Sequence, residues 1–295
     1  VEDYDMIAPG DTVAVGVSGG KDSLVLLLAL NELRRYYPKP FSLEAITVEL
    51  GFEGMDFTPV AELCASLGVP YTRLKTDIKE IVFDVRKEDN PCALCAKMRR
   101  GALCTALSER GITKLALGHH FDDAVETFLL SLVYEGRISC FQPVTHMTRT
   151  GVDQIRPMLY AGEGRITNLA KALALPVVEN PCPEDRGSKR HEVKELIRTM
   201  SLTYPDLRSK VFGATAGKRH GKLARVKPDK PVGDSPPGLC GEMKSQRTFW
   251  QKRMTIAAVC ARVAAPFGSR VVTPLALPTP QITPCATAQD IGVRA

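Results

Sequence analysis

The sequence predicts a doubly wound α/β domain, a parallel sheet with helices on both faces, followed by a tail of different character. Three observations carry this. Short β-branched or apolar runs alternate with longer helical patterns through residues 1–217, the order of consecutive βα units. Several of the short runs are continuously apolar, as strands become when both faces of their sheet are covered. The first run ends in a glycine turn that opens a helix.

Taken in order, the first strand is Thr12 to Val17, and the leucine-rich Ser23 to Tyr36 is the helix behind it. Leu43 to Val48 is the second strand, Pro59 to Leu67 a helix, and Tyr71 to Leu74 the third strand. Cys92 to Arg110 is a long helix, Lys114 to Leu117 the fourth strand and Asp122 to Tyr134 its helix. A further strand is placed around Gln154-Ile155-Arg156, with helices over Gly164 to Ala174 and Lys189 to Met200. Pro176-Val177-Val178 reads as strand-like. The first strand starts about ten residues into a chain that begins with Val, so an element ahead of it is expected to be missing.

Composition narrows the class. With 295 residues and 44% hydrophobic side chains the chain can bury a sizeable core, so disorder is excluded for most of it. The longest apolar run, Leu24 to Leu30, is far short of the roughly 18 to 20 residues of a membrane helix. The first five residues carry acid where an export signal carries base, and nine cysteines is an odd count, so thiols, ligands or catalysts are expected rather than a disulfide framework. A cytoplasmic location follows as the expectation. Net charge is +6, but residues 218–295 hold 13 Lys or Arg against 4 Asp or Glu (+9), leaving 26 against 29 (−3) for residues 1–217. That tail also holds 9 of the 21 prolines and shows no sustained period. The expected organisation is a folded domain over 1–217 and a basic, Pro-rich, disordered tail over 218–295.

The most specific motif is Ser18-Gly19-Gly20-Lys21-Asp22-Ser23, between a strand and a helix. Backbone N–H groups and the positive end of the helix dipole point into such a turn, which suits an anion. Gly19 and Gly20 let the backbone close around phosphate oxygens, and Ser18, Lys21 and Ser23 can donate to them. It is not a Walker loop, because Val15 stands where glycine is required and Asp22 follows the lysine. A carboxylate there repels phosphate unless a divalent cation bridges them, which points to a magnesium-bound nucleotide. Val48, at the end of the second strand, is assigned to the same nucleotide site.

A second motif, Gly118-His119-His120-Phe121-Asp122-Asp123-Ala124-Val125-Glu126-Thr127, follows the fourth strand at the end where open α/β sheets place ligands. Asp122 and Asp123 sit where they can cap the new helix, and the paired histidines leave a metal site open as an alternative. Cys92 and Cys95, spaced i, i+3 after Pro91, lie on one face at a helix start that favours thiolate. The pair alone is compatible with a redox couple, half a zinc site or two ligands of an iron–sulfur cluster. Cys104 lies on the opposite face and Cys64 in an apolar pattern, both core positions. Cys182 sits in the stiff loop Asn180-Pro181-Cys182-Pro183.

SGGKDS resembles the PP-loop of the N-type ATP pyrophosphatases. Together with PCxxCxxxRR, LGHHxDDxxET, Arg156-Pro157-Met158 and the NPCP followed by Lys189-Arg190, it resembles the tRNA 2-thiocytidine biosynthesis (TtcA-like) family over about residues 3–213. The resemblance implies an adenine nucleotide alpha hydrolase-like fold that binds ATP and Mg2+. Asp22 and Asp123 would be catalytic, and Gly118 and His119 would lie near the nucleotide. It also implies a [4Fe-4S] cluster on Cys92, Cys95 and Cys182, whose open iron carries the sulfur to be transferred. The substrate would be a tRNA cytidine, activated at its C2 oxygen, with Lys97, Arg99, Arg100, Arg156, Lys189 and Arg190 toward the RNA. Arg186, Lys194 and Arg198 extend that basic set. The implied partners are tRNA, a cysteine desulfurase or another sulfide source, and, for a homodimer, a second copy of the chain; no membrane is involved. A related tRNA-uridine thiolase and an ATP-dependent amidotransferase or ligase with structural zinc are the rival readings.

Overall fold

A computed structural model describes residues 1–87, 90–182 and 189–216. The tail 218–295, the boundary at Gly217 and Arg186 lie outside the described residues.

The chain enters through a single 3-10 turn, Glu2–Tyr4, and then builds the sheet from the middle outward. Strand β1 (Thr12–Gly16) leads through the glycine turn into α1 (Lys21–Leu33), and β2 (Ser42–Glu49) pairs parallel to β1. Helix α2 (Thr58–Ser66) returns the chain to β3 (Tyr71–Lys75), parallel to β2. A π-helical turn, Glu80–Arg86, precedes α3 (Pro91–Glu109), which crosses to β4 (Lys114–Ala116) on the other side of β1. Helix α4 (Phe121–Glu135) follows, then β5 (Val144–Met147), β6 (Val152–Ile155) and α5 (Glu163–Ala172). Helices α6 (Lys189–Thr203) and α7 (Leu207–Ala216) complete the described chain.

The sheet order is β3-β2-β1-β4-β6-β5, so the strand order reverses beside β1, where the glycine turn lies. Alternate residues of β1 serve opposite faces, because successive side chains of a strand point to opposite sides. Val13 and Val15 join one core with α1, α2 and α5, whereas Ala14 joins another with Ile46, Leu115 and the α3 residues Cys104 and Leu107. Helices α4, α6 and α7 pack together in a third cluster that includes Val125, Ile197 and Phe212.

The expected parallel sheet is present, and one expectation needs correction. To the parallel strands β5 adds an antiparallel edge, pairing with β6 through the turn at Thr148–Gly151, with Gly151 at φ +69°. The segment 176–178 is not a strand; its one ladder-like bond runs from the Val178 amide to the Gly19 carbonyl, at 3.0 Å. Helix α7 was not anticipated, and its Phe212 is 4% exposed against Phe121 and Tyr160.

Candidate active site

The glycine turn is shaped by its neighbours as much as by its own residues. Gly19 has φ +84°, and a Cβ there would stand 2.8 Å from the Val178 Cβ and 3.2 Å from the Phe57 ring, so no larger residue fits. Ser23 Oγ donates to the Gly20 carbonyl at 2.9 Å and accepts from the Ser18 amide at 3.2 Å, which folds the turn over the start of α1. Gly118 closes the other side: its missing Cβ would lie 3.1 Å from the Asp22 carbonyl carbon and the Ser23 nitrogen. The two motifs, about a hundred residues apart in sequence, thus meet backbone to backbone.

Charge around the turn is arranged in chains. Lys21 Nζ bonds the Asp22 carboxylate at 2.9 Å and lies 3.4 Å from Glu163, which in turn takes Lys194 at 2.9 Å. His120 Nε2 stands 3.8 Å from Asp22 and 3.4 Å from Asp123, bridging the two carboxylates. Asp123 closes the N-terminus of α4 by accepting from the His120 amide at 2.9 Å, and its other oxygen takes Arg190 at 2.9 Å. Arg190 also reaches Glu126 at 3.2 Å, a buried carboxyl that burial pushes upward in pKa. Asp122 caps a different helix from the one expected. It accepts from the Glu163 amide at the start of α5 at 2.8 Å and pairs with Arg208 of α7 at 2.5 Å.

One cavity of about 690 Å³ is lined by Ser18, Gly20, Asp22 and Ser23 from the turn, Val48 from β2, and Gly118, His119 and Asp123 from the second motif. Cys92, Cys95 and Cys182 line the same cavity, together with Arg99, Arg100 and Arg190. The Cys182 amide donates to Asn180 Oδ1 at 3.2 Å, and the Cys95 and Cys182 sulfurs are near enough to interact electrostatically. All six described cysteines are unbridged. Burial raises the Cys95 thiol against the expected preference for thiolate, Arg99 opposes it and Cys182 adds to it. Among the described residues no three His, Cys, Asp or Glu side chains converge on a single metal ion, so the three cysteines share the cavity without being gathered at one point.

His119 is nearly buried, stacked on Phe141 at 5.0 Å, and burial followed by the Arg156 charge pushes it down to about 4, so it is a neutral imidazole. Arg156, expected to face RNA, is instead 5% exposed. It donates to the Gln142 carbonyl at 2.5 Å and Thr145 at 3.0 Å, and lies over the Phe141 ring at 4.9 Å. A guanidinium so placed supports the wall behind His119. Lys97 and Lys189 are exposed outside the cavity, Lys189 over the Tyr134 ring at 5.1 Å. Sequence reasoning missed Glu163; its one signal was position, the first residue of a helix soon after Arg156-Pro157-Met158.

Comparison with known proteins identifies relatives of the chain. A family described as the PP-loop domain matches residues 3–200. The tRNA-cytidine(32) 2-sulfurtransferase of Pelobacter propionicus is 38% identical over 72% of this chain and 81% of its own. That of Syntrophotalea carbinolica is 37% identical over 72% and 84%. Among solved structures, the U34-tRNA thiolase NcsA from Methanococcus maripaludis, determined with its [4Fe-4S] cluster, superposes with a TM-score of 0.61 at 28% identity, covering 72% of each chain. No helix among the described residues is long and apolar enough to cross a membrane. On its fold, its paired motifs and these matches, the chain belongs to the PP-loop family, in the branch of the tRNA-cytidine(32) 2-sulfurtransferases.

Proposed function

We propose that this chain is an ATP-dependent tRNA sulfurtransferase that replaces the C2 oxygen of an anticodon-loop cytidine with sulfur, giving 2-thiocytidine. The observation that carries this is one cavity shared by a phosphate loop, a second carboxylate-bearing loop and three cysteines. Anion binding, activation and sulfur delivery need to meet at one atom, and here their residues face the same space.

The N-terminus of α1, with the Ser18 and Ser23 hydroxyls, receives the nucleotide phosphates, and Lys21 moves onto them from Asp22 and Glu163. Asp22 and Asp123 both face the cavity with oxygen donors, the ligand type that suits Mg2+, which when bound neutralises phosphate charge. The cytidine is splayed from its stack into the cavity, and Arg99, Arg100 and Arg190 lie at its wall to meet backbone phosphates. The C2 oxygen attacks the α-phosphorus, pyrophosphate leaves, and sulfide then displaces AMP, which carries the original oxygen away. Cys92, Cys95 and Cys182, three thiol side chains on one cavity, would hold a [4Fe-4S] cluster there. Such a cluster supplies the sulfur; the chain's part is to hold it beside the activated carbon. Sulfide reaches it from a cysteine desulfurase or another source in the cytoplasm, and the enzyme works as a monomer or a homodimer.

Mass spectrometry of tRNA nucleosides from a deletion strain and its complement tests the reading. 2-Thiocytidine should vanish and return. The likeness to the U34-tRNA thiolase favours uridine as the second candidate, and recovery of 2-thiouridine instead would select it. In vitro, tRNA-dependent pyrophosphate release should be abolished by Asp22→Ala while the fold is kept; near-normal release would refute the role given to Asp22.

A further inference from the structure

The segment that carries Cys182 is fastened to the phosphate machinery on both of its sides. Upstream, the Val178 amide donates to the Gly19 carbonyl at 3.0 Å, and the Val178 side chain occupies the space a Gly19 Cβ would need. Downstream, α6 places Arg190 2.9 Å from Asp123 and Lys194 2.9 Å from Glu163, whose carboxylate also lies 3.4 Å from Lys21. Cys182 hangs between these fastenings, its amide held on Asn180.

Gly19 is the soft point of the loop: its positive φ and lack of a side chain leave its peptide orientation to be set by what it touches. An anion gathered by the loop amides constrains that peptide from one side, and Val178 constrains it from the other. A ligand that holds Gly19 therefore also holds Val178 and the cysteine four residues on, and linkage makes the effect reciprocal. We propose that Val178 is a positioning residue that couples occupancy of the phosphate loop to the placement of Cys182. The inference rests on the proposed function only in taking the loop's ligand to be a nucleotide.

The experiment uses the full chain, reduced and free of metal, treated with iodoacetamide with and without a non-hydrolysable ATP analogue and Mg2+. Peptide mass spectrometry follows alkylation of Cys182 and Cys95, and calorimetry measures analogue binding. Cys95 lines the same cavity from α3, outside the segment fastened to Gly19, so it reports direct cover. The analogue should slow Cys182 at least about fivefold more than Cys95, the lower end of ordinary coupling between sites. Val178→Ala should still bind the analogue but lose that excess. Lys194→Met, which breaks the downstream fastening at a half-exposed position, should reduce it in the same direction and serves if Val178→Ala does not fold. Equal protection of both cysteines, or an excess unchanged in both variants, overturns the coupling and leaves the proposed function standing. Failure of the analogue to bind the unaltered chain overturns both.

Discussion

The cysteines divide by what surrounds each sulfur. Cys64 is fully buried and burial pushes its thiol up to about 11, Cys104 is buried with the Gln154 amide 3.5 Å away, and Cys140 donates to the Ala124 carbonyl at 3.4 Å. Among the described cysteines, Cys92, Cys95 and Cys182 alone face the cavity. Ser at any of these three should therefore remove the brown colour and the roughly four irons per chain expected after anaerobic reconstitution, and thiolation with them. Ser at Cys64, Cys104 or Cys140 should keep iron, though Cys64→Ser should cost on the order of 1–3 kcal/mol for a hydroxyl in an apolar site. Iron and sulfide assays decide it; a full cluster in Cys182→Ser, or thiolation supported by zinc alone, refutes the ligand set. His119 gives a second residue-level expectation. Its folded pKa of about 4 lies below the roughly 6.5 of an unfolded imidazole, so the unfolded chain takes up the proton first as pH falls. Stability should drop between about pH 6.5 and 4, and His119→Gln should flatten that part of the profile whatever it does to stability at pH 7. Urea midpoints at pH 7 and pH 5 measure the difference; an unchanged slope would show that His119 is not the group responsible.

At the scale of elements, the two adjacent aspartates of the second motif serve different helices. Asp123 closes α4 and faces the cavity, whereas Asp122 points away, holding the start of α5 and the side chain of Arg208. Asp122→Ala should lower stability by about 1–3 kcal/mol, the loss of a helix cap and of a partly buried charged partner, and leave turnover per folded molecule within a few-fold. Asp123→Ala should do the reverse, with the larger loss in rate. Thermal melts paired with pyrophosphate release separate the two, and equal rate losses would sink the distinction. This division was not legible in the sequence, because both aspartates have the residue type and the position of a cap, and the partner residues are 41 and 86 positions away. What was legible follows periodicity: β1 to β4 and α1 to α6 appear within a few residues of where alternation and apolar runs put them. Strand β5 was missed since Val144-Thr145-His146-Met147 is short and half-exposed at an edge, and the π-helical turn and α7 lack the long apolar stripe that marks a core helix. The cavity residues were readable where chemistry demanded a rare type, as at Gly20, Asp22 and the cysteines. Arg156 was misjudged because a guanidinium that stacks inside and one that grips phosphate look alike in sequence.

For the whole molecule, the question is where the folded unit ends and what the rest contributes. Helix α7 belongs to the fold, because Phe212 is buried against Phe121 and Arg208 pairs with Asp122 at 2.5 Å. A chain ending at Gly217 keeps these contacts, and we expect its unfolding midpoint to match that of the full chain. A chain ending at Asp206 loses them, exposing the face of α4 that Phe212 covers, and should unfold well below it. The charge balance gives the tail a separate role: residues 1–217 sum to −3 and residues 218–295 to +9, yet a tRNA presents a dense row of phosphates. Arg99, Arg100 and Arg190 supply local positive charge at the cavity, and we expect long-range attraction to come from the basic tail. Removing residues 218–295 should therefore weaken tRNA binding more at low salt than at high salt and reduce the slope of log affinity against log salt. Truncation that left this slope unchanged would mean the tail does not meet the RNA, and truncation at Gly217 that abolished cooperative unfolding would mean the folded unit extends beyond α7.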